Sequence, residues 1–431
     1  MRLTLINQFY APDLSPTAHL CASLAEHRAK LGDVVTVIAG RGGYVTAATR
    51  YSGGAVRVIR LWTAQLGSTS ILRRLLDWLT FYVAAIFRTA TLPRQDVIIV
   101  LTTPPYIALV GLLQKLLHPR TKLVLWNMDC YPEAIERTGM IRPGGLVSRV
   151  MRATNRSIFR RIDYLVCLDG AMKDLLLSQY APRKRSLGCS IIPNWDRADL
   201  FKPVIGASPV LFWNARAGCP CHELAWDNPV ATMLRGRFVV LYLGNAGYGH
   251  EFKTMIEAAE QLKDDPVTFL FVGGGALRPW IAAQAELKGL KNIQLCDYVP
   301  KEMTGAVMTI ADCALITLED FAAGVMSPSK LHANLAMGLP VIYIGPKKSN
   351  VDEAIERFGC GTSLRVGQAG QVVQFIRAMM RDPKRYSDLR ERSRRAFDEA
   401  YCDSRAFPQF DGVIDSLLAE SRRAIRFTVP T

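Results

Sequence analysis

Short runs rich in Val, Ile and Leu recur along this chain, and helix-like segments lie between most of them. This alternation constrains the fold more than any other feature. "RLTLINQ", "VVTVIAG", "VRVIRLW", "DVIIVLTT", "KLVLWNMD", "DYLVCLD" and "CSIIPNW" read as seven successive strands. The apolar spacing of Leu20, Leu24 and Leu31 predicts a helix from Ala18 to Leu31, closed by Gly32. This is the rhythm of a doubly wound parallel sheet. Around Pro193 to Arg237 the rhythm breaks, and the inter-domain linker is placed there. It restarts with "FVVLYLGN", "VTFLFVGGG", "IQLCDYVP", "CALITL" and "PVIYIG", again with helices between, and helical segments are expected from there to the C-terminus. The expectation is an α/β protein of two Rossmann-like, doubly wound parallel-sheet domains facing a cleft. Residues 1–200 form the first and 201–400 the second, with a helical tail at 401–431 packing back on the first. With 431 residues, 49% of them hydrophobic, the chain is long enough for two cores. In such sheets ligands bind at the carboxyl ends of strands, and a cleft faced by two domains is the default site.

Charge narrows the partners. The chain carries 53 Lys and Arg against 38 Asp and Glu, a net +15. That balance suits nucleic acid, anionic lipid or phosphate-bearing substrates. Nucleic acid is disfavoured for want of zinc-finger spacing or aromatic-basic interleaving, and none is expected as a partner. The ten Cys are scattered, which argues for reduced thiols in the cytosol rather than a disulfide framework. "CPCH" at Cys219 to His222 resembles a metal cluster, but no second ligand pair follows at a zinc-like distance. No targeting segment is expected before the first strand. No run reaches the ~20 apolar residues of a membrane span. In "ILRRLLDWLTFYVAAIFRTATL", however, Arg73, Arg74 and Arg88 flank an apolar stretch holding Trp78, Phe81 and Tyr82. This is either a helix lying on an anionic membrane surface or one packed on its own domain with a basic rim.

Three loops of the second half suit phosphate. "LGNAGYGHEF" carries Gly244, Gly247 and Gly249, which admit close backbone approach, with Asn245 and with His250 at an expected helix start. "FVGGGALRPW" repeats the pattern with Gly273, Gly274 and Gly275. "SPSKLHANLAMGLPVI" places Pro328 at a helix start with serines to cap it, Lys330 in the first turn and Gly338 as the stop. A helix N-terminus bearing a Lys is an expected anion site. Neither a dinucleotide-spaced G-x-G-x-x-G nor a P-loop is present.

Taken in order, these motifs make the chain resemble a family 4 retaining glycosyltransferase of the two-domain GT-B fold, nearest to bacterial enzymes of exopolysaccharide and O-antigen assembly. "INQFYAPDLSPTAHLCASLAEHRAKLGDVVTVIAG" is similar to the family's first strand, acceptor loop and first helix. The resemblance continues through "IIPNWDRADLF", the three loops, "FGCGTSLRVGQ" and "MMRDPKRYSDLRERSRRAF". It implies a nucleoside diphosphate sugar as donor, held by Gly244, Asn245, Gly247, Gly249, Gly273, Gly274, Val299, Ser327, Ser329 and Asn334. It implies an acceptor near Tyr10, Ser15, Thr17 and His19, and catalytic roles for Asp129, Lys330 and His250. Asp129 of "NMDCYPE" either serves the acceptor or caps the next helix. His19 faces either the acceptor or its own core. The family's two glutamates around the third loop are replaced by Val325 and Ala333. Its phosphate-binding Arg and Lys are replaced by Asn245 and His250, leaving Lys330 as the fixed cation, with His250 helping more when protonated.

The implied reaction is front-face transfer with retention, the leaving phosphate taking the acceptor proton. It uses no protein nucleophile, no cofactor and no metal, and no DxD-type cluster stands out. The expected location is the cytoplasmic face of the cell membrane, where the acceptor would be a lipid-linked saccharide. Against an active enzyme stands a binding or scaffold protein that has lost turnover, which the missing glutamates favour. A sugar-nucleotide epimerase of the same fold is disfavoured by the membrane-like helix.

Overall fold

The computed structural model describes residues 1–13, 15–41, 55–64, 71–197, 234–299 and 303–426. The expected linker and the Cys219 to His222 cluster lie largely or wholly outside them. The chain divides into two compact units. Met1–Asn194, Gly324–Ser327 and Ala406–Thr431 form one, and Trp195–Ala323 with Pro328–Arg405 form the other.

In the first unit the described strands are β1 (Arg2–Ile6), β2 (Val34–Gly40), β3 (Val56–Leu61), β4 (Val97–Val100), β5 (Lys122–Trp126), β6 (Tyr164–Cys167) and β7 (Gly188–Ile191). They form one parallel sheet in the order β3-β2-β1-β4-β5-β6-β7. β1 pairs with β2 from Arg2↔Val34 to Ile6↔Ile38 and with β4 from Leu3↔Val97 to Ile6↔Val100. Every residue of β4 is buried, as a strand covered on both faces must be. The helices are α1 (Pro16–Lys30), α2 (Ile71–Ala90), α3 (Ala108–Leu117), α4 (Glu133–Arg137), α5 (Leu146–Phe159) and α6 (Gly170–Tyr180). Right-handed crossovers put α2, α3, α5 and α6 on the face opposite α1. They pack in that order, α2 on α3, α3 on α5 and α5 on α6. Leu31 is 57% exposed and caps α1 rather than filling the core. The chain turns there because Gly32 adopts φ +89°.

In the second unit the strands are β8 (Phe238–Leu243), β9 (Val267–Val272), β10 (Ile293–Cys296), β11 (Cys313–Thr317), β12 (Val341–Ile344) and β13 (Gly361–Leu364). They form a parallel sheet in the order β10-β9-β8-β11-β12-β13. Its helices are α7 (Lys253–Gln261), α8 (Arg278–Leu287), α9 (Thr304–Thr309), α10 (Lys330–Ala336), α11 (Asn350–Phe358), α12 (Ala369–Arg381) and α13 (Pro383–Ala396). A last helix, α14 (Asp403–Arg426), crosses from this unit's residues to the first's, where Asp411 accepts from Arg28 at 2.7 Å. The expectation of helix alone after "PVIYIG" fails at β13. "GTSL" has no apolar run, yet it pairs with β12 from Val341↔Gly361 to Ile344↔Leu364. A Cβ on Gly361 would meet the Val341 carbonyl, so only glycine seats this strand against its neighbour. The strand order reverses at β1/β4 in one unit and at β8/β11 in the other, and these are the points where doubly wound sheets take ligands.

Candidate functional site

The loops after β8 and β11 open side by side at the second reversal. Gly244 has φ +121° and Gly273 φ +134°, which side chains on Cβ rarely tolerate. A Cβ on Gly273 would stand 2.4 Å from the Gly244 carbonyl oxygen. The two glycine loops are therefore stacked backbone on backbone. The Glu319 N–H donates to the Gly249 carbonyl at 2.9 Å and ties the loop after β11 to the same group.

Lys330 points into this set. Its Nζ lies 4.8 Å from the centroid of the Tyr242 ring, 3.3 Å from His250 Nε2 and 3.5 Å from the Asn245 carbonyl oxygen. Its Cε is 3.2 Å from where a Gly244 Cβ would be. Among the described residues no carboxylate pairs with it. Burial lowers its pKa to about 8. His250 Nδ1 sits 2.7 Å from the Thr317 carbonyl oxygen, which can only accept. That assigns the imidazole proton to Nδ1 and leaves the Nε2 lone pair for the Lys330 ammonium. Burial, and then the Lys330 charge, push the His250 pKa down to about 4. His250 is therefore a neutral acceptor that positions Lys330, and the protonated form that would help a phosphate more is disfavoured here.

Local structure differs from the reading in two further respects. α7 begins at Lys253, three residues beyond His250, because the Glu251 carboxylate accepts from the Thr254 N–H at 2.8 Å. α10 has seven residues, and no serine side chain caps it. Its dipole is short, so the ammonium supplies most of the positive field.

The remaining expected donor residues scatter in placement. Asn245 and Ser329 are exposed, and Gly247 lies beside the Asn245 amide at 3.2 Å from a would-be Cβ. Gly274 faces Tyr298. Val299 and Ala333 pack on the core around Val239 and Leu241. Asn334 is buried and donates to the Lys330 carbonyl at 2.8 Å, so its amide is turned to its own helix. Ser327 and Val325 belong to the first unit, where the Cys130 N–H donates to the Val325 carbonyl at 3.2 Å. Sequence reasoning missed Tyr242, Thr317 and the carboxylates Glu319 and Asp320. The last three lie at the carboxyl end of "CALITL", which the strand-end rule marks. Burial, then Glu251, raises the Glu319 pKa.

In the first unit Asp129 follows β5. The Met128 and Asp129 amides both donate to the Thr102 hydroxyl at 3.1 Å. α4 has no side-chain cap, so Asp129 does not serve as one. It lines a cavity of about 30 Å³ with Thr102, Tyr106, Asn127 and Tyr131. Burial raises its pKa to about 6. Of the expected acceptor residues, Tyr10 is 1% exposed, with the Arg60 guanidinium 5.6 Å from its ring centroid, so it belongs to the core. Ser15 and Thr17 share a hydrogen bond of 2.8 Å at the start of α1, and His19 is half-buried on that helix.

α2 packs on its own domain along one face and leaves the other face open. Phe81 and Ala85 are buried and the Tyr82 hydroxyl donates to the Pro105 carbonyl. The opposite face exposes Leu72 (68%), Leu79 (57%) and Phe87 (70%). No described helix is long and apolar enough to cross a membrane, and no described cluster of His, Cys, Asp and Glu is placed to hold a metal.

Residues 17–195 match the glycosyl transferase 4-like domain and residues 230–396 match the glycosyl transferases group 1. The glycosyl transferase WcaI of Escherichia coli (strain K12), named for colanic acid biosynthesis, is 25% identical over 414 residues, covering 93% of this chain and 97% of that protein. Among solved structures, sucrose-phosphate synthase from Thermosynechococcus elongatus superposes with a TM-score of 0.70 at 14% identity, covering 97% of this chain and 100% of its own. Anabaena HepE in complex with UDP and glucose gives 0.66 at 15%, covering 96% and 100%. WaaG, a glycosyltransferase involved in lipopolysaccharide biosynthesis, gives 0.62 at 17%, covering 96% and 99%. The shared architecture is the GT-B fold.

Proposed function

The chain belongs to the glycosyltransferases, and from that premise we propose that it moves a glycosyl group from a nucleoside diphosphate sugar to a lipid-linked glycan, with retention, in the assembly of a bacterial surface polysaccharide. One observation carries the reading: a desolvated ammonium, Lys330, held by neutral groups and unpaired with any described carboxylate, stands over two stacked glycine loops. Such a cation gains most from a diphosphate. The HepE complexes with UDP and UDP-glucose support this choice of donor class.

In the proposed step the acceptor hydroxyl oxygen bonds to the anomeric carbon on the face the phosphate leaves. The bond from that carbon to the phosphate oxygen breaks, and the acceptor proton passes to the departing phosphate. Lys330 stabilises the charge that develops there, and His250 Nε2 fixes its direction. Asp129, on the first unit, orients the acceptor. No cofactor or metal enters this account. A carboxylate for the ribose is lacking at Ala333. Glu319 and Asp320, on the loop tied to Gly249, offer acceptors in its place. The loss at Ala333 favours the competing reading of a scaffold that binds without turnover.

The protein works at a membrane face in this proposal, with α2 lying on the bilayer. The experiment for the donor is a thermal-shift screen against sugar nucleotides, since a ligand present at a hundred times its Kd stabilises the native state by about 2.7 kcal/mol. A raised Tm with one nucleotide class supports the reading, and no shift with any removes it. For the membrane, replacing Arg73, Arg74 and Arg88 by Glu is expected to keep the protein in the supernatant when wild type co-sediments with anionic vesicles.

A further inference from the structure

A second basic surface lies on α5 and the segment after α6. Arg156, Arg160, Arg183, Lys184 and Arg185 line a groove of about 1160 Å³ that no Asp or Glu lines. Arg185 serves the fold, donating to the carbonyls of Phe159 at 3.2 Å and of Ile162. Arg152, on α5 as well, is paired with Glu136 at 2.6 Å. The other four are different. Arg156, Arg160, Arg183 and Lys184 are exposed, and among the described residues no hydrogen bond or ion pair engages their side chains. Four like charges gathered without counter-charge repel one another, and an anion in the groove relieves that repulsion.

α5 also exposes apolar side chains, outside the groove. The start of α5 exposes Leu146 (79%), Val147 (57%) and Val150 (58%). A neighbouring hollow of about 450 Å³ shares Arg160 and Arg185 with the groove and brings in Leu116 of α3, itself 71% exposed. α3 in turn packs on α2, so basic and apolar side chains follow one another across a single helical layer. Cations beside protruding leucines match the chemistry of a leaflet, with phosphates at one level and acyl chains just below.

We propose that the α5 groove binds the phosphate groups of anionic phospholipid headgroups, giving the protein a second membrane contact besides α2. This rests on the membrane reading above. The test compares wild type with the quadruple variant Arg156→Gln, Arg160→Gln, Arg183→Gln, Lys184→Gln. Vesicles are of phosphatidylcholine alone or with roughly a third phosphatidylglycerol. Each basic side chain near an anionic leaflet is worth about fivefold in partitioning, less with salt screening. The quadruple variant is therefore expected to bind the anionic vesicles at least tenfold more weakly, with unchanged circular dichroism. The pair Arg183→Gln, Lys184→Gln, which leaves α5 intact, should show a smaller loss in the same direction. Equal binding by wild type and quadruple variant overturns the groove while leaving the membrane reading standing. Wild type that ignores anionic vesicles overturns the membrane reading itself. If soluble glycerol phosphate at matched phosphate concentration binds wild type but not the variant, and vesicle binding is the same for both, the groove is a free-phosphate site and the lipid assignment falls.

Discussion

Replacing Lys330 by Ala separates a ligand-binding cation from a structural one. In the free protein the ammonium touches a ring face, an imidazole lone pair and a carbonyl, and no described carboxylate. The ring contact is worth about 0.5–1 kcal/mol, and each long hydrogen bond from the charged ammonium about 1.5 kcal/mol. The burial that lowers its pKa to about 8 opposes them. The two sides nearly cancel, so unfolding of the free variant should shift by no more than about 1 kcal/mol at pH 7. With a diphosphate present the balance changes. One charge-assisted contact is worth about 1.5–3 kcal/mol, which is a loss of roughly 10- to 150-fold in affinity. Titration calorimetry with UDP and other nucleoside diphosphates measures it directly. A pH series adds an independent check. The folded pKa is lowered, so between about pH 8 and 10.5 the unfolded chain holds the extra proton, and wild-type stability rises with pH across that window. The Ala variant should lack that rise. Unchanged nucleotide affinity in the variant would refute the argument and make Lys330 an ordinary surface charge. A loss of several kcal/mol in the free protein would show that its role is structural.

Other expectations follow from the same geometry. His250→Gln should weaken nucleotide binding less than Lys330→Ala does, because it removes the support and not the charge. Wild-type stability should fall as pH drops from about 6.5 to 4, where the unfolded chain takes up the imidazole proton first, and a pH series of unfolding should show that slope reduced in the variant. Asp129→Asn should impair transfer more than donor affinity. Since the folded pKa is raised to about 6, the aspartate's contribution to stability falls as pH rises from about 4 to 6, and Asn should make the protein slightly more stable at pH 7. Gly273→Ala should cost about 2 kcal/mol or more by chemical denaturation, given φ +134° and a carbonyl 2.4 Å from the new Cβ.

Both parallel sheets were legible because buried parallel strands are near-continuous apolar runs, as β4 and β12 are, with β9 broken only by Thr268. β13 was not, since its pairing depends on the missing side chain of Gly361 and leaves no apolar signature. The glycine loops and Lys330 were found as strand-end and helix-start signals. Their joining at one point depends on β8 and β11 being neighbours, which is topology and not local pattern. The protonation state of His250 could not be read locally, because its pKa is set by burial and by Lys330, eighty positions away in sequence. Tyr10 looked like a loop residue open to a ligand. Its ring is instead buried where Arg60 stacks on it, a tertiary contact with no local cue.

The central claim is that this protein turns over a sugar nucleotide by way of Lys330, with retention. Proton NMR of the wild-type protein with a panel of sugar nucleotides and lipid-linked saccharide acceptors tests it most directly. The expected spectrum shows one donor consumed, nucleoside diphosphate released and a new glycoside whose anomeric coupling keeps the donor's configuration, with the Lys330→Ala protein at least tenfold slower. An inverted anomer would contradict the front-face step. A donor that binds and is never consumed under any acceptor would contradict the enzyme itself and leave the scaffold in its place.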